Sequence, residues 1–171
     1  MPATSAALLL YRRPTAPVAA SGSSPGAGIE VLLGHMGGPF WLRKEAGAWT
    51  IPKGELQPDE DPHAAAVREA GEELGIPVES LPDSDVDLGE IRQRAGKRVR
   101  AWAREVTWDE VDLAALHSNT AEIEWPPRSG RRIEVPELDR FAWFGIPEAR
   151  TVIVTAQAEL LDRLLTQPGA H

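Results

Sequence analysis

The chain has 171 residues, 42% of them hydrophobic, which is enough for one ordinary domain with a core of its own and short for two. Its 26 acidic against 18 basic residues give a formal charge of −8, which argues against a protein that grips nucleic acid through many phosphate contacts. With no cysteine, neither a disulfide framework nor a thiolate metal site is open to it, and no apolar run reaches the roughly 18 residues of a membrane span.

Ala6 to Tyr11 is short, apolar and bounded by Arg12, Arg13 and Pro14, and so reads as a buried strand. Residues 14–28, rich in Pro, Gly, Ser and Ala, read as a flexible loop. Ile29 to Leu33 forms the next expected strand, after which Gly37, Gly38 and Pro39 turn the chain toward Phe40 and Trp41. Trp49 to Pro52 is a third extended segment. Asp61 followed by Pro62 starts a helix, since the carboxylate caps free N–H groups and proline suits the first helical position; the helix is expected to run to Leu74 and stop at Gly75. Asp87–Arg94 and Lys97–Val106 read as a strand pair turned at Ala95 and Gly96. Residues 118–136, with three prolines, suggest a decorated loop or small hairpin inserted before a last strand, Phe141–Phe144. Leu160, Leu161, Leu164 and Leu165 recur at helical spacing, so the chain ends in an amphipathic helix. Strands and helices in this order predict a mixed sheet covered by helices.

The chemistry concentrates in residues 54–76. Glu69, Glu72 and Glu73 stand at i, i+3 and i+4 of the predicted helix and project from one face, while Val67, Ala70 and Leu74 form a core-facing stripe. Like charges so placed repel, and a divalent cation reverses the sign of that interaction. Carboxylates and backbone carbonyls are the ligands that Mg²⁺ and Mn²⁺ take.

Gly54, Glu60, Arg68, Glu69, Glu72, Glu73, Gly75 and Ile76 fall in register with the signature box of the Nudix family, which this stretch resembles. Ala70 departs from it, where a larger aliphatic residue is usual; looser packing is expected there. The resemblance implies an α/β/α sandwich with a mixed sheet and a catalytic helix, and a hydrolase of nucleoside diphosphates linked to another group. It implies metal binding by Glu69, Glu72 and Glu73 with the Gly54 carbonyl, Mg²⁺ or Mn²⁺ as cofactor, and an Arg68 that orients a box glutamate, Glu60 being a candidate. A further carboxylate often lies six residues ahead of a strand tryptophan; Glu137 stands so before Trp143 and is the first choice for general base or fourth ligand, with Glu69 and Glu72 as alternatives. Lys53 is a candidate phosphate contact, and Trp41, Trp49 and Trp125 are candidates for stacking on a base. Arg98, within GKRVRAW, is a further substrate-binding candidate; IPKGE and GKRVRAW resemble the nucleoside triphosphate and diadenosine polyphosphate branches more than the ADP-ribose pyrophosphatases. The RSGRR run at 128–132 is weighed as a phosphate clamp, and His35, His63 and His117 as ordinary structural histidines. The expected partner is a small nucleotide-like molecule, with no nucleic acid and no membrane. The expected protein is a cytoplasmic monomer or homodimer, one domain over residues 1–171; the alternative is a non-catalytic nucleotide-sensing module on the same fold.

Overall fold

A computed structural model describes residues 3–13 and 28–168. The segment expected to form a flexible loop lies, apart from Gly28, outside the described residues. Strand β1 (Thr4–Arg12) is the axis of the sheet. Ala6, Leu8 and Leu10 point to one face and Ala7, Leu9 and Tyr11 to the other, and each set joins a separate buried cluster. A strand covered on both faces reads as a continuous apolar run, which is why its sequence shows no alternation.

One edge of β1 pairs in parallel with β6 (Arg98–Glu105) along its whole length, and β5 (Val86–Arg92) continues antiparallel beyond β6. The other edge is shared. Tyr11 and Arg12 pair with β2 (Glu30–Met36), whereas Ser5, Ala6 and Ala7 pair with β4 (Lys53–Glu55). β2 in turn carries β3 (Trp49–Thr50) and β9 (Leu138–Gly145). The expected segment Trp49–Pro52 is a strand only at Trp49–Thr50; beyond Pro52, which removes a ladder donor, β4 begins on a different partner. Helix α1 (Pro62–Leu74) covers the Ala6–Leu8–Leu10 face; α2 (Ile146–Val152) and α3 (Ala158–Leu165) cover the other. The result is a mixed sheet between helical layers, the α/β/α sandwich expected. Ala70 is fully buried within the α1 layer.

α1 begins and ends as its residues dictate. The Asp61 carboxylate accepts from the Ala64 amide at 2.9 Å, and Gly75 closes the helix at φ 67°, in the left-handed region open to glycine. α2 was not expected from the sequence, and the last strand is longer than expected, starting at Leu138. The 118–136 insert is a hairpin, β7 (Thr120–Glu124) and β8 (Arg132–Pro136), outside the main sheet. No helix of the described residues is long and apolar enough to cross a membrane.

β3 is secured from the far side by Gln157. Its buried amide oxygen accepts from the Ile51 N–H at 2.9 Å and from the Thr50 hydroxyl at 3.2 Å, and the Val154 N–H reaches the Trp49 carbonyl at 2.8 Å. Gln157→Leu keeps the volume but leaves a buried N–H unpaired, and is expected to cost about 1–3 kcal/mol. Urea denaturation should show a lower midpoint with an unchanged m-value.

Candidate active site

The site forms where α1 passes beneath β4. Pairing of Gly54 with Ala6 of β1 fixes β4, and the α1 layer packs on the same strand, so the facing side chains of the helix meet the β4 backbone at close range. A Cβ at residue 54 would stand 1.9 Å from Glu69 Oε2; only glycine leaves room for that carboxylate. One turn further on, Glu73 Oε2 accepts from the Lys53 N–H at 2.9 Å. Glu69 and Glu73 are consequently buried, at 9% and 7% exposure, whereas the Glu72 side chain is 45% exposed. The expectation of one packing face and one open binding face is corrected: two of the three carboxylates lie under the strand.

Arg68 gathers the acidic side chains. Its Nε and Nη2 donate to Glu60 at 2.8 and 2.9 Å, Nη1 to Glu69 at 2.7 Å and to Glu72 at 3.2 Å, and Nη2 also to the Glu55 carbonyl at 3.2 Å. The two parallel bonds to Glu60 are the fork geometry that favours arginine over lysine. Arg68, helped by the Gln57 N–H, holds the Glu60 carboxyl down to about 2. Burial dominates elsewhere. It raises Glu69 despite Arg68, and it pushes Glu73 up to about 8 although the Lys53 N–H and ammonium pull the other way. The negative charge of Glu137 adds to the rise of both.

Glu137 reaches this cluster through backbone hydrogen bonds. His117 N–H bonds to the Leu74 carbonyl at 3.1 Å and Asn119 N–H to the Glu72 carbonyl at 3.3 Å, tying the start of the insert to the end of α1. The Asn119 carbonyl then accepts from the Glu137 N–H at 3.0 Å, and Gly37 N–H donates to the Glu137 carbonyl at 2.9 Å. Glu137 sits at the bend between β8 and β9.

The remaining candidates divide. Lys53 lies beside Glu73. Trp49 is a correction: it is 4% exposed, packed edge-on to His35 and Phe144 with its indole N–H on Glu45, and has no face left for a base. Trp41 packs against Phe40 and beneath the Lys44 ammonium, and Arg98 pairs with Glu90 at 2.7 Å. Neither bonds to the acidic cluster among the described residues. His35 bridges Asp139 and the Lys44 carbonyl, both at 2.7 Å; His63 bonds to Asp85, which also takes a bidentate pair from Arg104. These polar links hold β2 to β9 and α1 to the β5–β6 edge, and no sequence spacing announces them.

A model of the NUDIX domain matches residues 12–164. The chain belongs to the Nudix family. An RNA pyrophosphohydrolase of Hahella chejuensis is 34% identical over 156 residues, covering 86% of this chain and 91% of the relative. Among solved structures, the Ap4A hydrolase of C. elegans aligns with a TM-score of 0.57 at 23% identity, over 96% of each chain. The NUDIX domain of Shewanella oneidensis NrtR complexed with ADP ribose aligns with a TM-score of 0.58 at 12% identity, over 95% of this chain and 86% of that one. At such identities the structural matches speak for the Nudix fold alone. The family match and the 34% identical relative make the chain a Nudix-type pyrophosphohydrolase.

The donor chemistry of the site fits a hard divalent cation: its side-chain donors are carboxylate oxygens, and burial raises those of Glu69 and Glu73, a cost that a bound cation would offset. Among the described residues, however, no three acidic or imidazole side chains converge into a ready-made coordination group. Arg68 holds Glu69 and Glu72 instead.

The raised Glu73 carboxyl gives a signed pH effect. Its pKa is about 8 in the folded chain against an ordinary 4.5, so between these values the native state keeps a proton that the unfolded state has lost, and stability falls as pH rises. In EDTA, the melting temperature of the wild type should drop across this window more than that of Glu73→Gln. Parallel melting curves for the two proteins would refute the assignment.

Proposed function

We propose that this pyrophosphohydrolase cleaves a phosphoric anhydride in a nucleoside di- or triphosphate derivative or a dinucleoside polyphosphate, with Mg²⁺ or Mn²⁺ held by Glu69, Glu72, Glu73 and the Gly54 carbonyl. The observation that carries the reading is the Glu69 carboxylate against Gly54 and the Glu73 carboxylate on the Lys53 N–H, with the Glu137 charge acting on both. A bound divalent cation supplies Lewis-acid neutralisation of phosphate oxygens and a water of lowered pKa.

The protein side chains do the rest. Glu137, outside Arg68's hydrogen bonds, is the general base or a fourth ligand. It takes the proton of the attacking water at its carboxylate, with Glu69 and Glu72 as alternative bases. Lys53 meets a phosphate oxygen as a point charge. Arg68, a positioning residue, holds Glu60 in its fork and would share Glu69 and Glu72 with a bound cation.

For the substrate, IPKGE and GKRVRAW favour the nucleoside triphosphate and diadenosine polyphosphate branches. The relatives described as RNA pyrophosphohydrolases support a second reading, a 5′-phosphorylated RNA end, which presents the same anhydride.

The test is phosphate release from a panel of nucleotides, dinucleoside polyphosphates and 5′-triphosphorylated RNA, with Mg²⁺, Mn²⁺ or EDTA. Glu72→Gln and Glu73→Gln should each lower turnover about 10²-fold or more with the far-ultraviolet circular dichroism spectrum retained; near-normal rates at limiting Mg²⁺ would remove them from the metal site. Glu137→Gln should lower kcat more than it raises KM, as expected for an interaction made mainly in the transition state. Wild-type kinetics in that variant, with Glu122→Gln or Glu124→Gln inactive, would move the base into the insert.

A further inference from the structure

The β7–β8 hairpin alternates strictly. Its register sets Ala121 opposite Val135 and Ile123 opposite Ile133, and the Trp125 N–H bonds to the Arg131 carbonyl at 2.8 Å, so the same side of the ribbon continues from Ala121 and Ile123 to Trp125 and Arg131. The base of that side is covered: a Cβ on Gly38 would touch Ile123 and Val135 at 3.5 Å. Toward the tip the cover ends. There Trp125, Arg131, Ile133 and Pro136 face Pro39 and the 65% exposed Leu42 across a cleft of about 560 Å³, within the range of small-molecule sites.

Two side chains in this cleft are unengaged. The rings of Trp41, Trp49, Trp102, Trp108 and Trp143 each meet another ring or a cation; that of Trp125 meets neither among the described residues. The Arg131 guanidinium enters no hydrogen bond or ion pair among the described residues, although neighbouring Arg132 is paired with Glu122. An open indole face beside an unpaired guanidinium is the combination that takes an aromatic base and its phosphate. The third polar group, Asp139, bonds to His35 and has the Arg140 Nε at 3.8 Å, a cation that offsets its charge toward an anion. The position is equally specific. Pro136 lines the cleft, and Glu137, the next residue, is the one whose charge reaches Glu69 and Glu73.

We propose that this cleft binds the second nucleoside phosphate of a two-nucleoside substrate, with its base on Trp125 against Leu42 and its phosphate on Arg131. The inference rests on the function proposed above and narrows it to substrates that carry two nucleosides, either a dinucleoside polyphosphate, with one on each side of the anhydride, or an RNA 5′ end, with its first two nucleotides on the same side. A nucleoside triphosphate leaves the cleft unused.

Steady-state kinetics on the full chain with Mg²⁺ compares diadenosine tetraphosphate, a 5′-triphosphorylated RNA tetranucleotide and ATP. In Trp125→Ala and Arg131→Ala, kcat/KM relative to that for ATP should fall about tenfold for the substrate that uses the cleft, through KM, and Trp125→Phe should restore most of it. The substrate that responds identifies the source of the second nucleoside. An unchanged ratio for both would overturn the inference. A binding arm needs no turnover: titration of ¹⁵N-labelled protein with AMP should move the Trp125 indole resonance, assigned by its loss in Trp125→Phe, and Arg131→Ala should weaken the shift. No movement at millimolar AMP would overturn the subsite even in an active enzyme. Conversely, absence of any Mg²⁺-dependent hydrolysis would defeat the broader function while the titration still decides the cleft.

Discussion

Three glutamates and one arginine of α1, with Glu60 from the loop before it, make a charge concentration that the rest of the molecule is arranged around. Arg68 spans Glu60, Glu69 and Glu72 and reaches the β4 backbone at Glu55, so the guanidinium is both counter-charge and clamp between helix and strand. Its fork suits this task, because it bonds in several directions without the desolvation that an ammonium would suffer. The arrangement needs β4 close above α1, which needs glycine at 54. It also needs β1 to divide its edge between β2 and β4, so that β4 is presented at that height.

Burial of Glu69 and Glu73 follows from that closeness and sets their chemistry. A solvated acidic face would keep ordinary carboxyls. Covered by β4, the two carboxyls rise, while Glu60, in the fork of Arg68, falls. Carboxylates of one cluster thus have opposite shifts in proton affinity, because Glu60 is paired while Glu69 and Glu73 are desolvated. Divergence of this kind accompanies sites where charge is handled, although ion-pair networks also produce it.

Much of this was legible in the residues. Asp61–Pro62 and Gly75 bounded α1 because caps are local, and the spacing of Glu69, Glu72 and Glu73 placed them together because helical periodicity is local as well. What escaped depends on partners distant in the chain. Trp49 offered itself as a stacking residue until His35 and Phe144 enclosed it, and composition does not distinguish a core indole from a binding one. Helix α2 is too short for a periodic signal, and its one cue was Pro147 at the first turn. Gly54 was noticed as part of a pattern, but the reason for it, the approach of Glu69, exists only once strand and helix are docked. The His35–Asp139 and His63–Asp85–Arg104 links join residues far apart in sequence and left no local trace.

The way the hairpin is attached has a consequence for how such a protein diversifies. Before β7 begins, Asn119 has already spent its N–H on the Glu72 carbonyl and its own carbonyl on the Glu137 N–H, and the Ser118 hydroxyl accepts from the Leu138 N–H at 2.9 Å. The stem is therefore closed below the ribbon, and the frame around α1 is complete without it. Because the free energy of closing a loop grows only slowly with its length, residues 120–136 form a cassette that can lengthen, shorten or change its tip with little disturbance to the acidic cluster. Selection can thus retune what the molecule accepts separately from the bond that it breaks.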